Sequence, residues 1–149
     1  MQLTRAADYA VRVMMHMAAL PPGARTSRAE LAEAADCPEQ FLSKVLQSLT
    51  RAGLIASHRG NTGGFEMPET HRGVTMLDVI EAIEGPVRLN LCIHSDQACP
   101  RQGWCAAHTV WAEAQEAMIG VLRTAGIADM AARMPAPVRM ETVLVGDPE

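Results

Sequence analysis

The sequence predicts a mainly α fold with a small β-wing, and three observations carry that expectation. Apolar residues recur at helical spacing in several separate runs, each bounded by proline, glycine or a capping side chain. One stretch, Leu54-Ile-Ala-Ser-His-Arg59, then Gly60-Asn-Thr-Gly-Gly64, then Phe65-Glu-Met67 closed by Pro68, is patterned as strand, turn and return strand. Residues 86–104 follow neither period, and LCIHSDQACPRQGWCAAH, residues 91–108, holds three of the chain's four cysteines and ends on a histidine.

A chain of 149 residues that is 48% hydrophobic suffices for one domain with an appendage and a real core. The sequence lacks an apolar run of about 18 residues, and Arg5 and Asp8 stand where a signal peptide needs its apolar segment. A cytoplasmic protein without membrane spans is expected. In a reducing compartment, gathered cysteines point to metal or redox chemistry more than to structural disulfides. The net charge of -4 is unevenly spread: residues 1–72 carry eight Lys/Arg against seven Asp/Glu (+1), and residues 73–149 five against ten (-5). Any polyanion therefore meets the N-terminal half, through local placement of cations rather than bulk charge. The sequence has no Ser/His/Asp constellation, phosphate loop or paired carboxylates suited to acid-base work, so an enzyme is not expected.

From Arg5 to Leu20, Tyr9, Val13, Met17 and Leu20 keep helical spacing until Pro21-Pro22-Gly23 stops the run; the methionines and His16 are expected as packing. Ser27 and Glu30 have capping-box spacing and open a short helix through Ala35. After Asp36-Cys37, Pro38 is expected at the first position of a helix whose stripe of Phe41, Leu42, Val45, Leu46 and Leu49 ends at Gly53. Its other face presents Gln40, Ser43, Lys44, Gln47 and Arg51. Two helices joined by about three residues, the second with a hydrogen-bonding outer face, predict a helix-turn-helix DNA-binding domain. The hairpin that follows becomes its wing, with Arg59 placed to reach a minor groove. Thr75 and Asp78 cap a helix carrying Leu77, Val79, Ile80 and Ile83 up to Gly85-Pro86. From Cys105 to about Thr124, Val110, Trp111, Ala114, Ala117, Met118, Val121 and Leu122 form a wide apolar face that predicts a long dimerisation helix in a homodimer. The expected organisation is a winged helix-turn-helix domain over 1–85, a cysteine-rich loop over 86–104, a dimerisation helix region over 105–130 and an extended or disordered tail over 131–149. Val143-Leu144-Val145 is the tail's apolar segment.

The loop spacing is Cys92-x6-Cys99-x5-Cys105-x2-His108. Thiolates are soft ligands for zinc or iron-sulfur clusters, and a histidine three residues after a helical cysteine points to the same side. Structural zinc favours tight C-x2-C hooks, which are missing here, whereas wider gaps suit a cluster. The alternatives are a zinc-bound or cluster-free thiol-based redox-sensing regulator, with Arg101 and His94 as neighbouring cations, and a cluster-carrying electron-transfer protein whose helix-turn-helix is scaffold. Cys37 stands apart and is expected to be buried and inert.

Together, LTRAADYAVR, LSKVLQSLTRAGLI, RGNTGGF, VTMLDVIEAIEG and the three-cysteine loop resemble the family of bacterial iron-sulfur winged-helix transcription regulators that includes IscR, NsrR and RirA, over about residues 1–130. The resemblance implies a homodimer on a double-stranded DNA operator, most often as a repressor, sensing iron, redox state or nitric oxide through a 2Fe-2S or 4Fe-4S cluster. Matched residue by residue, Gln40, Ser43, Lys44 and Gln47 fall on the recognition helix, and Arg59 and Asn61 on the wing tip. Cys92, Cys99 and Cys105 match the cluster cysteines. Two residues match a fourth ligand: His108, as in IscR-like members, and Asp8 of the partner subunit, as in NsrR-like ones. The x6-x5 spacing with Pro100 is closer to RirA.

Overall fold

A computed structural model describes residues 3–71, 73–93 and 99–135. Helix α1, Arg5–Ala19, starts at Thr4, whose hydroxyl accepts the Ala7 N–H, and buries Ala10, Val13, Met14 and Met17 along one face. Helix α2, Arg28–Ala35, carries the expected capping box, with Ser27 accepting the Glu30 N–H and Glu30 accepting the Ser27 N–H. It ends at Asp36, which adopts the left-handed conformation that short polar side chains tolerate (φ 50°, ψ 51°). Helix α3, Glu39–Arg51, buries Leu42, Val45, Leu46 and Leu49. Pro38 is its N-cap rather than its first residue: with ψ at 130° it leads into the helix from extended backbone, and its carbonyl accepts the Phe41 and Leu42 N–H groups.

Three short strands follow a pattern only partly expected. The wing pairs β2, Ala56–His58, with β3, Gly64–Glu66, both antiparallel and shorter than the sequence pattern implied. On the far side of β3 lies β1, Arg25–Thr26, in register Arg25 with Glu66 and Thr26 with Phe65. This strand was not anticipated, because two residues between a turn and a cap carry no alternation. Gly64 makes the pairing possible. Its φ of 140° is open only to glycine, and a Cβ there would stand 2.8 Å from the Thr26 carbonyl oxygen.

Helix α4, Met76–Glu84, has the expected capping box between Thr75 and Asp78. Thr75→Ala is expected to lower stability by about 1 kcal/mol, read as a fall in thermal midpoint, because it frees a first-turn N–H and loses the partner of Asp78. A long helix α5, Ala106–Thr124, then runs out from Cys105. None of its residues is fully buried. Met118, Ile119 and Leu122 pack on the core, while Val110, Trp111 and Val121 stay exposed.

The chain then returns. Thr75 and Gly126 form an isolated bridge, with the Met76 N–H on the Ala125 carbonyl at 2.8 Å and the Ile127 N–H on the Val74 carbonyl at 2.9 Å. Beyond it, helix α6, Ile127–Ala132, packs against α1, with Ile127 1% exposed and Ala131 buried. Helix α6, which the sequence reading divided between the dimerisation region and the tail, packs on α1 and places Ile127 in the core. Residues 136–149, including Val143-Leu144-Val145, lie outside the described residues. Among those described, no helix is long and apolar enough to cross a membrane.

Candidate nucleic-acid interface and cysteine loop

The amphipathic pattern of α3 decides what it offers outward. Burial of Leu42, Val45, Leu46 and Leu49 leaves Gln40, Lys44 and Gln47 exposed and Ser43 half-buried beside them, its hydroxyl donating to the Glu39 carbonyl at 3.3 Å. Arg59 and Asn61 are exposed at the wing, and the turn is closed by the Gly63 N–H on the Gly60 carbonyl at 2.9 Å. Between helix and wing lies a cleft of about 420 Å³ lined by Arg28, Ser43, Gln47, Arg51, Ser57 and Phe65, among others. Among the described residues, Lys44, Arg51 and Arg59 have no carboxylate partner, so this face offers three uncompensated cations.

Arg28 was missed in the sequence. It sits at the first position of α2, the wrong end for a cation in a helix dipole, and that misfit was the available signal. Its guanidinium pairs with Glu39 at 2.8 Å, tying the first turn of α2 to the first turn of α3.

Cys37 sits at the corner between the two helices, 7% exposed. Burial pushes its thiol above the ordinary range, only partly opposed by the nearby Arg12 guanidinium, and so disfavours the reactive thiolate.

The other three cysteines are half-buried free thiols. Cys92 lies in a 3-10 turn, Leu91–Ile93, held by Arg88, which donates to the Ile93 carbonyl at 3.1 Å. The loop is tied to α5 where the Leu89 N–H meets Gln115 Oε1 at 3.0 Å. From Cys99 the chain makes successive turns, with the Gln102 N–H on the Cys99 carbonyl and the Cys105 N–H on the Arg101 carbonyl. Cys105 is the N-cap of α5 without a side-chain cap bond, and the His108 N–H meets its carbonyl at 3.0 Å. Half-buried His108 is therefore one turn from Cys105, as the spacing implied. Among the described residues, no set of three or more His, Cys, Asp or Glu is gathered closely enough to hold a metal ion. His94 lies outside those residues. Asp8 is exposed and pairs with Arg12 one turn along α1 at 2.7 Å.

A family model described as Rrf2, an iron-dependent transcriptional regulator, matches residues 3–133. The chain belongs to the Rrf2 family. It is 35% identical over 137 residues to protein aau3 of Rhizobium meliloti, covering 91% of this chain and 88% of that one. Two solved structures share the fold: CymR, the global cysteine regulator of B. subtilis (TM-score 0.73, 22% identity, 91% of this chain and 99% of that one), and T. potens IscR (TM-score 0.70, 23% identity, 91% and 93%). As an Rrf2 protein this chain is a DNA-binding transcriptional regulator with a winged helix, not an enzyme. The Rrf2 match ends at residue 133, one residue beyond the end of α6.

Proposed function

We propose that this Rrf2 protein is a cytoplasmic homodimer that represses transcription and responds to iron, redox state or nitric oxide through an iron-sulfur cluster. The observation that carries the DNA-reading part is the outer face of α3. Gln40, Ser43, Lys44 and Gln47 stand together on one helix face, beside a wing and with free cations flanking them. Amide and ammonium groups suit base edges in a major groove, and Lys44, Arg51 and Arg59 suit phosphates or the negative minor groove. The apolar outer face of α5 supplies the dimer, whose two α3 helices then meet successive major grooves about 34–36 Å apart.

The cysteine loop fits the cofactor by donor chemistry. Cys92, Cys99 and Cys105 are soft, unpaired ligands, and Cys105 with His108 starts the same helix that joins the subunits. His108 is the favoured fourth ligand, since it needs no second chain to reach the loop; Asp8 of the partner subunit is the alternative. A cluster held there would supply sensitivity to iron and oxidants. Because the thiols are not gathered among the described residues, holding any metal requires the loop to close in, and Gln115 and Arg88 pass that movement to α5 and to the end of α4. The separated, half-buried thiols also favour a second reading, a cluster-free thiol switch.

Anaerobic purification with a visible spectrum and iron and sulfide counts separates the two. The expected result is a brown protein bleached by Cys105→Ala and by His108→Ala but not by Asp8→Ala. Bleaching by Asp8→Ala alone moves the fourth ligand to the partner subunit. A colourless protein with reactive thiols leaves the cluster-free switch.

A further inference from the structure

We infer that Arg25 is a positioning residue for the wing, its guanidinium bracing the turn that presents Arg59. The inference deepens the reading of the wing as a DNA contact and rests on it. Arg25 lies on β1, outside the hairpin itself, and is paired in register with Glu66 on the central strand. Its Nη1 donates to the carbonyl of Thr62, in the turn, at 3.0 Å, while its Nε stands 3.5 Å from a Glu66 carboxylate oxygen. One planar fork therefore spans the wing from its base to its tip, a reach that needs donors on two edges of the group. The same Glu66 oxygen lies 3.0 Å from the ring nitrogen of His58 on β2, although that nitrogen is not aligned for a hydrogen bond. Glu66 thus faces a basic side chain from each neighbouring strand.

The wing needs such a brace because it has little else. Its strands are three residues each, and a hairpin that short does not hold a fixed direction by its own ladder. The turn has one backbone bond, Gly63 to Gly60, and among the described residues Arg25 supplies the one side-chain hydrogen bond to residues 60–63. The ion pair is half exposed, so its loss hardly changes folding stability. What it sets is direction. A wing free to swing presents Arg59 to the groove only part of the time, and affinity falls by that fraction.

The test uses the full chain with Arg25→Ala, Arg25→Lys, Arg59→Ala and the double variant Arg25→Ala/Arg59→Ala. The probe is a duplex selected by the wild-type protein from a random-sequence pool. Arg25→Ala is expected to speed amide hydrogen exchange in residues 59–64 with α1 and α3 unchanged, and to weaken the duplex roughly ten-fold, as Arg59→Ala does. Lysine, which cannot span both partners, does not restore either. In the double variant the second change adds nothing, because Arg25 acts through Arg59. Unchanged exchange at 59–64 overturns the brace. Additive losses, or a further fall of about 0.9 in salt slope when Arg25 is removed beside Arg59→Ala, overturn it too, by showing Arg25 itself on a phosphate. If Arg59→Ala leaves affinity and slope at the wild-type value, the wing contact is wrong and so is the route from Arg25 to affinity, while the exchange measurement separately decides whether Arg25 holds the turn.

Discussion

Val121→Asp is expected to make the protein monomeric at micromolar concentration and to weaken operator binding by roughly a hundred-fold or more. Val121 is 69% exposed on α5, in line with Val110, Ala114 and Ala117, and no part of the same chain covers that stripe among the described residues. In the proposed dimer, Ala114 and Ala117 let a second helix approach closely, so a carboxylate in place of Val121, in line with them, loses its water without gaining a partner. Two reading heads joined in one dimer bind far more tightly than either alone, and separating them removes that gain. Sedimentation and a gel-shift titration read the two effects. A variant that stays dimeric and keeps its affinity would place the interface elsewhere.

Ile127→Asp is expected to destabilise the domain by about 3 kcal/mol or more, enough to unfold a marginal protein at ordinary temperature. Ile127 is 1% exposed at the start of α6 and belongs to the same core as Met14, Leu46 and Ile80. An aspartate there must give up its hydration inside a hydrocarbon environment, and the benefit of a negative charge at a helix start is much smaller. Ala34→Asp, at an exposed position of α2 away from α5, is the control and should leave the urea midpoint close to the wild-type value. Equal effects of the two changes would mean that α6 does not seal the N-terminal domain.

Much of this architecture was readable in the sequence because the signals were redundant. The third helix was marked by Pro38, by the stripe from Leu42 to Leu49 and by Gly53; a misplacement of Pro38 by one position did not move the outward face. The capping pairs Ser27 with Glu30 and Thr75 with Asp78 each fixed a helix start, and both pairs bond as their spacing implied. The long apolar face from Val110 to Leu122 showed as a helix, but the structure divides it: Met118 and Leu122 pack on the core, and Val110, Ala114, Ala117 and Val121 stay exposed. Elements that were missed are those whose cause is not local. Strand β1 exists because Gly64 on a distant segment lets its backbone approach Thr26, and two residues cannot show a period. Helix α6 has six residues, three of them alanine, and its burial comes from α1. Within the interface, the outward residues of α3 followed from the inward ones, whereas Arg28 and Arg25 take their places from partners, Glu39 and Thr62, that lie at least eleven residues away. The cysteines and His108 proposed as metal ligands stood out by residue type and spacing, but spacing along a chain does not state how near three thiols stand in space.

The bridge between Thr75 and Gly126 gives the molecule a modular character. The chain leaves the reading domain after α4 and re-enters it beside the start of α4, so the bridge closes a segment that holds α4, the cysteine loop and α5. The entropy of closing a loop grows slowly with length, about 0.6 kcal/mol for each doubling. The exposed stretch between α4 and α5 can therefore gain or lose residues at little cost, while Met118, Ile119 and Leu122 keep α5 on the core of the reading domain. The loop proposed to sense a signal is thus the part of the chain that can vary most without re-solving the folding of the part that reads DNA.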